Sequence, residues 1–363
     1  MMRGSSSGLV MVMMVVVVAA ANKTQDDCFK PNSLPPRKRN ICNGMSLLSA
    51  AEHGDLHKVE ELLESPDRSY VLAYTENNGW RRGFTSLMLA AEHNHTQVVD
   101  ALVAAGASVN HTSTSKYTVV YLLAENGATE SLQNVLSLGA NPDVMTNAGL
   151  TPVLIGAWNG FTAVVKMLLE RRANPNVAKP NTLYTPLYLA SKAGDEEMVR
   201  ALLNAGANID FQTYWGVTAL IGATSWGRQP VVAMLLKARA DPNIVEKDGF
   251  TALHKAVYYR HPEIVRDLLD YGASVQAQDT YGRTPLHYCV MVKAEERWSG
   301  AHKPRLATKL TSQKRAMMQE LMERCPDAAI TDYTGKTALD LALEVNATQL
   351  LPLLKGYKKA TCT

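Results

Sequence analysis

The stretch "DGFTALHKAVYYRHPEIVRDLLDYGASVQAQD" (residues 248–279) decides the fold, because the chain keeps repeating it. Thr251 offers a hydroxyl that can cap a helix amide, and a short apolar run follows it. His261-Pro262 breaks that run. Ile264, Val265, Leu268 and Leu269 then recur at helical spacing, and Gly272 stands where a left-handed residue ends a helix. Two such short helices have apolar faces they cannot bury alone, so the block needs neighbours of its own kind.

The neighbours are present. A second block, "AGLTPVLIGAWNGFTAVVKMLLERRANPNV" (148–177), has the same plan: G-x-T-[PA]-L, a short helix, a second apolar helix and a small-residue turn. The marker threonines are Thr85, Thr118, Thr151, Thr185, Thr218, Thr251, Thr284 and Thr337, at steps of 33, 33, 34, 33, 33, 33 and 53 residues. The last step holds a 20-residue insertion, and a degenerate copy begins near Met45, 40 residues before Thr85. Pro152, Pro186 and Pro285 follow their threonines at the first helical position, where a missing N–H costs nothing. Val164, Val165, Leu168 and Leu169 repeat the apolar pairing of the second helix, and Gly106, Gly139 and Gly206 repeat its glycine stop. "ANPDV", "ANPNV" and "ADPNI" open the turn toward each next unit.

In this pattern the chain resembles the ankyrin-repeat family over residues 44–357, with about nine units. The resemblance implies an all-α repeat fold, an ankyrin-repeat α-solenoid with β-turn or hairpin fingers, stabilised by the interfaces between units and shielded by atypical end units. The irregular stretch "ESPDRSYVLAYTENNGWRR" (64–82) and Pro352 in the last second helix fit such ends. The expected organisation is a signal peptide over 1–21, a Cys/Pro-rich segment over 22–43, the repeat domain over 44–357 with an insertion at 293–312, and a tail over 358–363.

A chain of 363 residues with 46% hydrophobic and 20% charged residues can bury a large core, and a formal charge of +3 gives no field for gathering phosphates. Nucleic acid is not an expected partner. No phosphate-binding glycine loop, H-E-x-x-H or C-x-x-C occurs, so no catalytic residue, metal, cofactor or small-molecule substrate is expected. By the resemblance, His254 and His287 hydrogen-bond between turns, a structural task.

The same resemblance places the binding face at positions four, three and one before each marker threonine and seven and eight after it. Those positions make up about a ninth of the chain, yet they hold twelve of its 24 aromatics: Phe84, Tyr117, Trp158, Tyr184, Tyr214, Trp215, Trp226, Phe250, Tyr258, Tyr259, Tyr281 and Tyr333. Aromatics serve as interface anchors. Phe84, Tyr117, Tyr184 and Phe250, each just before its threonine, can equally be packing. The expected protein-binding residues are therefore Tyr214, Trp215, Trp226, Tyr258, Tyr259, Tyr281 and Trp158, densest in the fifth and sixth units, with Arg228, Lys247 and His261 as a polar rim. The expected function is non-enzymatic capture of a protein partner by a monomer, and the alternative is an intracellular adaptor bridging a partner to a larger complex.

Two further stretches bear on setting. "KAEERWSGAHKPRLATKLTSQKR" (293–315) carries seven basic and two acidic residues and is expected to emerge as a solvated loop, one that can meet an acidic partner. "LVMVMMVVVVAAANKT" (9–24) is short for a membrane span and ends in a small-residue site, which reads as a secretory signal cleaved near Ala21. The alternatives are a membrane anchor over residues 9–21 and a cytoplasmic chain. Asn22, Asn94, Asn110 and Asn346 are candidate glycosylation acceptors, in about the number chance supplies. Cys28 and Cys42 are candidate disulfide partners or two free thiols. Cys289 replaces a small core alanine, and Cys325 and Cys362 are open between pairing and free.

Overall fold

The computed structural model describes residues 35–77, 79–291, 304–324, 326–347 and 350–355, with the backbone alone for 304–311. The signal-peptide reading, Asn22, Cys28, Cys325, Cys362 and residues 292–303 of the basic stretch lie outside them. The chain divides into two compact units, Met1–Ala148 and Gly149–Thr363.

The first unit holds three helix pairs among its described residues: α1 (Pro36–His53) with α2 (Leu56–Leu63), α4 (Ser86–Glu92) with α5 (Thr96–Ala104), and α6 (Val119–Asn126) with α7 (Thr129–Ser137). A short helix, α3 (Arg68–Leu72), stands between the first two pairs. First helices pack on first helices, α1 on α4 and α4 on α6, and second helices on second helices, α2 on α5 and α5 on α7.

The second unit repeats this six times. Its pairs are α8 (Pro152–Asn159) and α9 (Thr162–Glu170), α10 (Pro186–Ala193) and α11 (Glu196–Asn204), α12 (Ala219–Ser225) and α13 (Gln229–Lys237), α14 (Ala252–Tyr258) and α15 (Pro262–Asp270), α16 (Pro285–Met291) and α17 (Pro304–Glu323), and α18 (Ala338–Glu344) and α19 (Leu351–Lys355). The apolar pairs of the second helices, such as Val164 with Val165 and Ile264 with Val265, are buried between adjacent units as the repeat pattern requires.

The local chemistry follows the threonine register. Thr85, Thr118, Thr151, Thr185, Thr218, Thr251 and Thr337 each accept a hydrogen bond from the backbone N–H three residues on. Gly106, Gly139, Gly206 and Gly272 all adopt left-handed backbone at the end of their second helices. The fingers are tight hairpin turns: Thr213 donates its N–H to Val217 at 3.0 Å, and Glu246 to Phe250 at 3.0 Å. Among the described residues they form no strand ladder, only isolated bridges Thr75 to Thr85 and Thr331 to Thr337.

Three boundaries differ from the sequence reading. Helix α1 runs from Pro36 straight through position 44, so residues 36–43 are part of the first repeat helix rather than of a coreless Pro-rich segment. The irregular stretch is ordered against that helix: Val71 is buried, Tyr74 lies where a Cβ on Gly44 would stand, and Arg81 pairs with Glu52 at 2.6 Å and Glu92 at 3.0 Å. The third concerns the insertion. Residues 304–315, expected as loop, are the first turns of α17, which begins at a proline and continues through Ala, Leu, Lys, Gln and Arg, all good helix formers. Pro352 sits in the first turn of α19, a position that tolerates it.

Candidate functional site

In three repeats an aromatic seven or eight residues beyond the threonine falls within one residue of the end of the first helix. Trp226 follows the last residue of α12, Tyr258 ends α14, and Trp158 is the penultimate residue of α8. At a helix end the side chain escapes the packed face. The fingers are aligned differently, through backbone bonds from tip to tip: Tyr214 N–H donates to Thr182 C=O at 2.9 Å, Lys247 to Trp215 at 3.0 Å, Thr280 to Asp248 at 3.1 Å and Tyr333 to Tyr281 at 3.0 Å. All seven expected binding residues are exposed, from 41% for Tyr258 to 58% for Tyr281. Phe84 is fully buried, while Tyr117, Tyr184 and Phe250 are half-buried, so the residues just before the threonines do pack.

The structure groups these residues otherwise than the sequence did. Trp158, Tyr184, Trp215 and Tyr214 form one chain of rings at centroid distances of 6.4, 6.0 and 5.6 Å, with Tyr188 stacked beneath Tyr184 at 4.7 Å. Burial pushes the Tyr188 hydroxyl up to about 12. Tyr258 and Tyr259 belong to a second chain, at 5.0 Å from each other, with Tyr258 reaching Phe250 and Tyr288 and Tyr259 stacked on His261. Tyr281 stands apart under the Arg283 guanidinium.

Trp226 joins neither chain. With Trp158 it lines a groove of about 420 Å³, together with Ala157, Asn159, Gly160, Tyr184, Leu189, Lys192, Ala193 and Arg228. The lining mixes small residues, three aromatic rings and two cations. The groove spans the ends of α8, α10 and α12. Leu189 and Lys192 were missed, and Tyr184 was set aside, because packing residues and lining residues share one local pattern.

The rim is cationic. Lys179 lies 4.2 Å from the Trp158 ring centroid, Lys192 5.2 Å from Trp226 and Lys247 3.5 Å from Tyr214. Arg228 lines the groove, whereas His261 stacks on Tyr259, and burial holds its imidazole below the ordinary histidine range.

His254 and His287 make the hydrogen bonds that the resemblance implied. His254 is fully buried; its Nδ1 accepts the Thr251 N–H at 3.2 Å and its Nε2 donates to Arg283 C=O of the next repeat at 3.1 Å. His287 repeats this with Thr284 and with Lys336 C=O at 3.2 Å. Both are stitches between repeats. No group of His, Cys, Asp and Glu able to hold a metal occurs among the described residues.

Family models agree with the geometry: a three-copy ankyrin-repeat model matches residues 16–113, 87–179 and 157–246, and a many-copy ankyrin-repeat model matches 235–289. The chain belongs to the ankyrin-repeat family. Ankyrin repeats indicate a protein-interaction scaffold, in a family that is generally non-enzymatic. Among solved structures, the ankyrin repeat domain of human ASB11 is similar, with 24% identity over 65% of this chain and 98% of that domain and a TM-score of 0.52. That likeness bears on the ankyrin fold alone. No curated protein matches the chain.

The remaining candidates are local. Asn94 and Asn346 are exposed in left-handed turns between paired helices. Asn110 is spent in a ladder of ankyrin fingers, its Nδ2 donating to Gly139 C=O at 3.2 Å and its Oδ1 accepting the Asn141 N–H at 2.9 Å. Asn176 and Asn243 do the same in their repeats. Cys42 is buried and disulfide-bonded, with its partner outside the described residues. Cys289 is a buried free thiol. Among the described residues no helix is long and apolar enough to cross a membrane.

Proposed function

We propose that this chain is a non-enzymatic scaffold that captures a protein partner on the aromatic groove at the ends of α8, α10 and α12, within the secretory pathway or outside the cell. The observation that carries the binding site is the pair Trp158 and Trp226, two exposed indoles at helix ends that line one groove. Rigid aromatics lose little freedom on binding, so preorganised complementarity supplies the affinity. The exposed Tyr214, Trp215, Tyr258, Tyr259 and Tyr281 extend the contact surface on either side.

The secretory setting is supported by the apolar leader and by the disulfide at Cys42, a bond typical of oxidising compartments. One observation favours the intracellular adaptor instead: the Asn110 amide, a nominal glycosylation acceptor, already serves the finger ladder.

The binding reading is tested by cross-linking the chain to its partner in the native cell and measuring that partner's affinity by calorimetry. Trp226→Ala is expected to weaken binding by about 2 kcal/mol or more with an unchanged melting transition. A partner bound equally well by Trp226→Ala and Trp158→Ala removes the groove. Amino-terminal sequencing and a glycosidase mobility shift on the same material test the compartment, and an intact Met1 with no shift selects the adaptor.

A further inference from the structure

The cations of the groove say more about its occupant than the aromatics do. Lys179, Lys192 and Lys247 each lie over an aromatic ring, and among the described residues none of them has an ion-pair partner. Two other lysines of the same unit do have carboxylate partners: Lys166 meets Glu197 at 2.6 Å, and Lys255 pairs with Glu246.

Arg228 is the fourth such cation, and it is held in place. Its Nε donates to Lys192 C=O at 3.2 Å, and its Cδ lies 2.8 Å from where a Cβ on Gly194 would be. Gly194 has a φ of 86°, so the glycine is needed both for the turn and for this close approach. The backbone thus fixes the stem of the arginine and leaves the two terminal nitrogens of its fork without a carboxylate among the described residues. The adjacent acid, Asp195, is committed elsewhere: it accepts the Met198 N–H at 2.9 Å and the Thr162 hydroxyl.

We infer that the groove takes an acidic polypeptide segment. One large apolar side chain enters between Trp158, Tyr184 and Trp226, and flanking carboxylates meet the Arg228 fork and the lysines on the rim. A guanidinium fork matches a carboxylate with two parallel hydrogen bonds, which a fixed stem makes inexpensive to form. A nucleic acid would need a long cationic track, whereas here Lys192 and Arg228 line the groove and Lys179 and Lys247 lie over rings of the aromatic chain that leads from it, on a chain of net charge +3. The inference rests on the protein-binding reading above and adds the chemistry of the partner.

The test is a random-peptide display selection on the full chain, run beside Trp226→Ala and Arg228→Glu, with single-stranded oligothymidine titrated in the same format. The expected pool has an aromatic or leucine flanked by Asp and Glu. Synthetic copies should lose about tenfold or more in affinity with Arg228→Glu and about as much between roughly 50 and roughly 500 mM salt, with Arg228→Lys intermediate. Should Arg228→Glu fail to fold, Lys192→Glu carries the same expectation. A neutral or basic pool that depends on Trp226 overturns the acidic occupant while the binding groove stands. A pool indifferent to Trp226→Ala, or no enrichment at all, overturns both. Oligothymidine bound more tightly than the selected peptides overturns the choice of a polypeptide.

Discussion

At the scale of single residues, His254 shows how a sequence feature changes meaning once its surroundings are known. Burial holds its imidazole down to about 4, and the accepted Thr251 N–H requires a neutral Nδ1. The unfolded chain takes up a proton near the ordinary histidine value of 6.5, while the folded chain does not until about 4. The stability contributed by the neutral ring is therefore fully present above pH 6.5 and is lost as pH falls toward 4, by up to roughly 3 kcal/mol. Burial lowers His261 and His287 too, so wild type should weaken steeply in this window. Urea midpoints at neutral pH and near pH 4.5 for wild type and His254→Gln check it: the variant starts less stable but should lose less on acidification. Equal losses would show that His254 titrates normally.

At the scale of elements, the threonine caps set where each first helix begins and hence where its aromatic end points. Thr218 is buried, and its Oγ1 accepts the Ile221 N–H at 3.2 Å. Thr218→Ala leaves that amide unsatisfied and should cost about 1 kcal/mol, with Thr218→Ser recovering most of it. Thermal denaturation of both variants decides this, and an Ala variant as stable as wild type would mean that packing alone starts the helix. The insertion carries the opposite lesson. Its basic composition suggested a loop, yet residues 304–315 propagate into α17, which buries Met317, Met318 and Leu321 against α15 and α16 and joins α15 through Arg266 and Glu320 at 2.7 Å. A helix anchored by its far end recruits preceding residues of good helix propensity at little extra cost.

At the scale of the whole molecule, stability is distributed over interfaces between repeats. Leu235 in α13 is fully buried, and its helix packs against α11, α12 and α15. Leu235→Ala should cost about 2 to 5 kcal/mol and lower the urea midpoint, because the cavity opens where three neighbours meet. A loss below about 1 kcal/mol would mean that the stack closes around the gap. The repeat itself was legible along the chain, since a 33-residue period, a capping threonine and paired apolar residues are all local signals. The groove was legible only in part. Trp158 and Trp226 stood out as exposed aromatics, but their 68-residue separation hid that they line one groove.

The sequence by itself determined the helix pairs, their caps, the left-handed stops and which aromatics would be exposed, because each follows from residue type within one or two turns of backbone. Tertiary structure alone decided which exposed rings share a surface, that Arg228 is braced by Lys192 C=O and Gly194, that Asn110 spends its amide on the next finger, and that residues 304–315 of the basic stretch become helix. Those depend on the register and rotation of one repeat against the next. Interlocking buried side chains set that geometry collectively, and no single stretch of sequence encodes it.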